Sequence, residues 1–194
     1  YTTIAYVRGE DDRAVFMGGS PTTPESVVEF DLATRQFNLI YTSRSEAIAT
    51  EHVSTPQAIE FPTSNGLRAH AFYYPPRNLD FTAPQGEYPP LIVISHGGPT
   101  SSTVTNLRLP IQFWTTRGFA VVDVTYGGSS GSGREYRQRL YGQWGVVDVD
   151  DCVNAADYLV KAGLADSERL VIRGGSAGGY TTLCALTFRN ILKA

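Results

Sequence analysis

Three apolar runs, each ending in glycine, limit what this 194-residue chain can fold into. They are "PPLIVISHGGP" (89–99), "GFAVVDVTYGG" (118–128) and "ERLVIRGGS" (168–176). A strand with one wet face alternates apolar and polar residues, whereas these runs do not, as expected of strands buried on both faces of a parallel sheet. Helical spacing fills the intervals, at Leu107 to Arg117, Arg134 to Tyr141, Val147 to Lys161 and Gly178 to about Asn190. Strand, helix, strand, helix means α/β, with a mostly parallel sheet. In the third helix Val149, Val153, Ala156 and Val160 share one face, and Asp148, Asp150, Asp151 and Asp157 point elsewhere. Three of these acids fall in the first turn, where the helix dipole favours carboxylates, so they read as helix-start charge. No histidine or further carboxylate stands ready to complete a metal site around them.

Residues 1–41 have a different texture. "TIAYVRG", "AVFMGG", "SVVEFDL" and "FNLIYTS" are short β-like runs separated by polar turns, the pattern of an antiparallel meander such as a propeller blade. Such a meander cannot bury both faces of its own sheet, so it belongs to a larger β-domain or lies against the second half. Residues 42–60 are polar with a proline and are read as the domain crossing, which places the α/β part at 61–194. Within it, "NGLRAHAFYYPP" alternates after a turn signal and reads as a further strand.

A formal charge of −3 with interspersed signs provides no basic stripe for phosphate backbones, which argues against nucleic acid as a partner. No apolar run approaches the roughly 18 residues of a membrane span. The first residues read as mid-chain, so any targeting signal would lie outside this window. Cys152 and Cys184 fall on apolar helix faces and read as buried, unpaired thiols, favouring a reducing compartment such as the cytoplasm.

The third glycine cluster carries a lone hydroxyl. Gly174-Gly175-Ser176-Ala177-Gly178 fits Gly-x-Ser-x-Gly between a strand and a helix, the turn that lifts a nucleophilic serine above an α/β-hydrolase sheet. A dinucleotide-binding Gly-x-Gly-x-x-Gly fails here in either register, and no Gly-Lys-Ser/Thr of a phosphate loop occurs, so no cofactor is expected. A hydrolytic serine needs donors for a developing oxyanion. The Ala177 amide is one; the loop "SHGGP" (95–99) or the hydroxyl of Tyr126 is the second. The order in this fold is serine, acid, histidine, but His52, His70 and His96 all precede Ser176. His96 therefore reads as a loop-shaping residue, and the acid and base are expected beyond Ala194. A sheet ending soon after the serine strand leaves an apolar edge to be covered, by more chain or by another copy in a homo-oligomer.

Taken together, "HGGP", "VTYGGSSGSGREYRQRLYGQWGVVDVDDCVNAADYLV" and "IRGGSAGGY" resemble the prolyl oligopeptidase family of serine peptidases, most closely its acylaminoacyl-peptidase and dipeptidyl-peptidase-like branch. The resemblance implies the end of a β-propeller over residues 1–41 and the first half of an α/β-hydrolase domain after them. It implies Ser176 as the acylated nucleophile, Ala177 as main-chain oxyanion donor and Tyr126 as hydroxyl donor, with Gly97 and Gly98 shaping the loop. Trp144, Gly145 and Asp148 match a Trp-Gly-x-x-Asp stretch and read as scaffold. Family members often carry arginine directly after the tyrosine; here Gly127 stands there. The implied substrates are short peptides, cleaved by a parent enzyme of which these residues alone are inactive. A carboxylesterase and a non-catalytic binding module are the competing functions.

Overall fold

The computed structural model describes residues 1–43 and 48–194, so part of the expected domain crossing, 44–47, lies outside the described residues. The first four strands, β1 (Thr3–Glu10), β2 (Arg13–Ser20), β3 (Thr23–Asp31) and β4 (Gln36–Thr42), pair in chain order as an antiparallel meander. Its interior is small. Phe16 and Val28 are buried, while Tyr1, Phe37, Leu39 and Tyr41 remain exposed.

The second sheet has the order β5-β6-β8-β7-β9. It comprises β5 (Gln57–Pro62), β6 (Arg68–Tyr74), β7 (Leu91–Ser95), β8 (Ala120–Thr125) and β9 (Leu170–Gly174). The three apolar runs are β7, β8 and β9, and they pair in parallel. β5–β6 and β6–β8 are antiparallel, so among the described residues the sheet is mixed where a mostly parallel one was expected. The reason is local. Asn65 and Gly66 both take positive φ (60° and 70°), closing β5 onto β6 as a tight hairpin. β5 was missed in the sequence because its apolar residues, Ile59 and Phe61, sit at the polar margin of the crossing.

Among the described residues the α-helices of this part are α1 (Leu109–Thr115), α2 (Gly133–Gln138), α3 (Val147–Lys161) and α4 (Ala177–Phe188). α3 and α4 cover one face of the sheet over Leu91, Val93, Val122, Val124, Leu170 and Ile172. α1, through Ile111, covers part of the other, over Tyr74, Ile92 and Val121. Each such aliphatic side chain, fully buried, contributes about 1.5–3 kcal/mol. β8, buried at every position, is the centre of the stack. The meander is tied on beside α1, where Leu107 N–H donates to the Ser20 carbonyl (2.7 Å). Past α4 the chain returns beside β9, with Ile172 N–H donating to Ala194 O (2.7 Å) and Lys193 N–H to Leu170 O (2.8 Å).

α3 has the expected ends but a different buried face. Asp148, Val149, Asp151, Cys152, Ala155, Ala156 and Leu159 are buried, whereas Val153 and Val160 are only partly so. Reading Asp148 and Asp151 as plain helix-start charge is thereby corrected: hydrogen-bond donors on neighbouring elements draw both carboxylates inward.

Candidate active site

The site forms where β9 turns into α4. Ser176 sits on that turn with φ 54° and ψ −121°, conformations that cost a residue with a side chain about 1–3 kcal/mol. Surrounding backbone holds it there. A Cβ on Gly174 would lie 2.3 Å from the Gly178 carbonyl oxygen, and one on Gly178 would lie 2.1 Å from the Ser95 carbonyl oxygen. Only glycine therefore lets the end of β9, the first turn of α4 and the end of β7 meet. The Ser95 hydroxyl locks the contact by donating to Gly178 O (2.9 Å).

Ser176 is exposed, and its carbonyl accepts the Gly179 and Tyr180 amides that begin α4 (2.9 and 3.2 Å). The Ala177 amide stands at the positive end of that helix. Among the described residues no hydrogen bond engages it. The loop after β7 passes close by, with a Cβ built on Gly97 lying 3.5 Å from Ser176 Cβ.

Tyr126, the expected hydroxyl donor, lies beside that loop. It is fully buried, its ring stacks on His96 (centroids 4.2 Å apart, planes at 14°), and its hydroxyl donates to the His96 carbonyl (3.0 Å). Burial, then Asp148 and Cys152, push its phenol pKa upward, so it stays a neutral donor. In a trans peptide the carbonyl and the following N–H point in opposite directions. Holding His96 C=O therefore fixes the direction of the Gly97 N–H, which among the described residues also has no partner.

His96 has its own partners: Nε2 and Ser129 Oγ lie 2.7 Å apart, and Nδ1 faces Gly97 O at 3.2 Å. Burial lowers its basicity, against which the Gly97 and Gly98 carbonyls act. His70 packs on Tyr136, and His52 lies by the Leu79 amide. Among the described residues no histidine is hydrogen-bonded to Ser176.

The acids of α3 tie the scaffold together, Asp148 as part of the expected Trp-Gly-x-x-Asp stretch and Asp150 and Asp151 through partners the sequence did not show. Asp148, wholly buried, accepts the Gly145 amide (2.6 Å) and the Thr181 hydroxyl from α4 (2.5 Å). Asp151 accepts the Gly127 amide (2.6 Å) and the Thr63 hydroxyl (2.5 Å). Burial raises its pKa, and those two hydrogen bonds act in the opposite direction. Asp150 pairs with Arg189 at the far end of α4 (2.5 Å). One helix start thus anchors the second turn and the C-terminal end of α4 and the loop after β8. Signals were present in the polar residues at helix-interior spacing and in Thr181 on an apolar helix, but nothing in one sequence pairs them. Gly127 has a physical reason as well, since a Cβ there would meet Val147 Cγ1 at 2.7 Å and the Arg139 side chain at 3.3 Å. Trp144 packs on Tyr180 (centroids 4.8 Å), and Cys152 and Cys184 are buried free thiols.

A strained serine lifted from a parallel strand into a helix N-terminus, on a mixed sheet with helices on both faces, defines an α/β-hydrolase-type scaffold joined to an antiparallel meander. Residues 105–193 match the prolyl oligopeptidase family. A puromycin-hydrolyzing peptidase of Mycobacterium tuberculosis superposes with a TM-score of 0.94 at 44% identity, over 96% of this chain and 28% of that one. Dipeptidyl aminopeptidase BIII of Pseudoxanthomonas mexicana is 36% identical over 99 residues, 51% of this chain and 14% of the relative. The acylamino-acid-releasing enzyme of Arabidopsis thaliana is 36% identical over 97 residues, 50% and 13% respectively. The chain spans less than a third of the length of each. The antiparallel meander beside a mixed α/β sheet matches that family's division into a propeller part and a hydrolase part.

Proposed function

We propose that the protein carrying these residues is a serine peptidase that cleaves short peptides through an acyl-enzyme on Ser176. The observation that carries this reading is the serine itself: exposed, backbone-strained, and followed by an amide that has no hydrogen-bond partner among the described residues. Attack of Ser176 Oγ on a peptide carbonyl forms a tetrahedral oxyanion, to which the Ala177 N–H donates a hydrogen bond. The Gly97 N–H is the second donor, and Tyr126 is a positioning residue that acts through the His96–Gly97 peptide. Collapse expels the amine, and water then hydrolyses the ester.

Ser176 needs a base to take its proton, and His52, His70 and His96 are engaged elsewhere. The base and its orienting acid therefore come from outside residues 1–194, and these residues alone do not turn over. The propeller part restricts entry to short peptides. The names of the relatives favour an amide-cleaving enzyme: one releases acylamino acids, one is a dipeptidyl aminopeptidase, one hydrolyses puromycin.

The test compares blocked and free-amine peptide amides, puromycin and p-nitrophenyl esters on full-length protein and its Ser176→Ala variant. Amide hydrolysis that disappears in the variant is expected. An enzyme that cleaves only esters would be a carboxylesterase, and amide hydrolysis surviving in Ser176→Ala would refute the assignment.

A further inference from the structure

On the α1 face of the second sheet, directly beneath the serine turn, lies a cavity of about 470 Å³. His96, Gly97, Arg108, Asp123, Arg173 and Gly175 contribute to its lining. Register explains the charges. Ile94 of β7 is the partner of Asp123 on β8 and of Arg173 on β9, so the three side chains form one row on the same face. With strands about 4.8 Å apart, the outer two backbones are about 10 Å from each other.

The charges in this row do not cancel. Asp123, buried, accepts Arg108 Nη1 at 2.6 Å, and that pair closes on itself. Arg173 is exposed at the end of β9, three residues before Ser176, and among the described residues its side chain makes no ion pair or hydrogen bond. His96, whether neutral or cationic, supplies no negative charge to this lining. Among the described residues the cavity next to the nucleophile thus holds one unneutralised guanidinium, a planar fork suited to a carboxylate.

We propose that Arg173 is a specificity-determining residue that binds a carboxylate of the substrate near the scissile bond, so that the enzyme prefers peptides carrying a free carboxylate there. The inference rests on the reading of Ser176 as the acylated nucleophile. The carboxylate has two sources, the C-terminus of a short peptide and an Asp or Glu side chain. A C-terminal source makes the enzyme favour very short substrates, and a side-chain source makes it favour acidic residues.

The experiment measures kcat/KM on the full-length enzyme for two matched pairs: one peptide as free acid and as C-terminal amide, and one with Asp against Asn beside the cleaved bond. A charge-assisted Arg–carboxylate contact predicts a preference of about tenfold to a hundredfold for the charged member of one pair, seen mainly in KM. Arg173→Gln brings that ratio to about one, and Arg173→Lys retains part of it. Because each ratio is taken within one enzyme, partial loss of folded protein in a variant cancels. A wild-type ratio near one for both pairs, or a ratio kept in Arg173→Gln, overturns the proposal. Fluorophosphonate labelling of Ser176 in the same wild-type sample tests the underlying reading separately: labelling with a ratio of one refutes only the role of Arg173.

Discussion

Replacing Gly178 by alanine tests the packing that produces the serine turn. The added methyl would stand 2.1 Å from Ser95 O, 2.7 Å from Ser95 Oγ and 2.8 Å from His96 O. The nearest contact is short by about 1 Å of anything carbon and oxygen tolerate, and two of the three atoms are backbone that cannot rotate away. Relief requires α4 to move off the end of β7 by about that distance. Overpacking of this kind costs about 1–3 kcal/mol, and the rigid partners put this site at the upper end. A 1 Å displacement of a reacting group lowers turnover on the order of a hundredfold. Gly175→Ala is the control for stability, because a Cβ there meets nothing within 4 Å. Thermal melting of the full-length protein is expected to fall for Gly178→Ala and to stay within a degree or two for Gly175→Ala, with kcat in the former down about a hundredfold. A Gly178→Ala protein that melts and turns over like wild type would refute the argument that backbone contact demands glycine.

Asp148→Ala leaves the Gly145 amide and the Thr181 hydroxyl without their buried acceptor, and chemical denaturation should show a loss of about 2–4 kcal/mol. Tyr126→Phe removes the donor to the His96 carbonyl; kcat is expected to fall about tenfold, whereas a fall of 10²–10³ would return the phenol to direct oxyanion contact. Asp123 is held at a pKa of about 6, up from 3.8, by burial that Arg108 offsets only partly. Between about pH 4 and 6 the folded state keeps a proton the unfolded chain has lost, so this group's contribution falls as pH rises, by about 3 kcal/mol in all. Asp31 and Asp166, with lowered pKa values, act in the opposite direction at lower pH. Stability measured against pH for wild type minus Asp123→Asn should therefore decline across that window, and a flat difference would contradict the burial argument.

Much of this architecture could be read from residue order because its signals are local. Continuous apolar runs give β7, β8 and β9, and the meander's turns give β1 to β4. Gly-x-Ser-x-Gly after "LVI" places Ser176 on its turn. What stayed hidden is relational. β5 looks like crossing because its two apolar residues gain meaning only when paired with β6. Asp148 and Asp151 look like dipole charge until Thr181 and Gly127, 33 and 24 residues away, are seen to bond them. Tyr126 was expected as an oxyanion donor; its hydroxyl bonds the His96 carbonyl, a partner 30 residues earlier that no local signal marks.

The central claim is that the Ser176 hydroxyl becomes a nucleophile when the whole enzyme is assembled. Intact mass and peptide mapping of the full-length protein after a fluorophosphonate should find one adduct, on the peptide containing Ser176, absent from Ser176→Ala and lost in a wild-type sample pre-incubated with a cleavable peptide. An unlabelled Ser176, or equal labelling of wild type and variant, would contradict it.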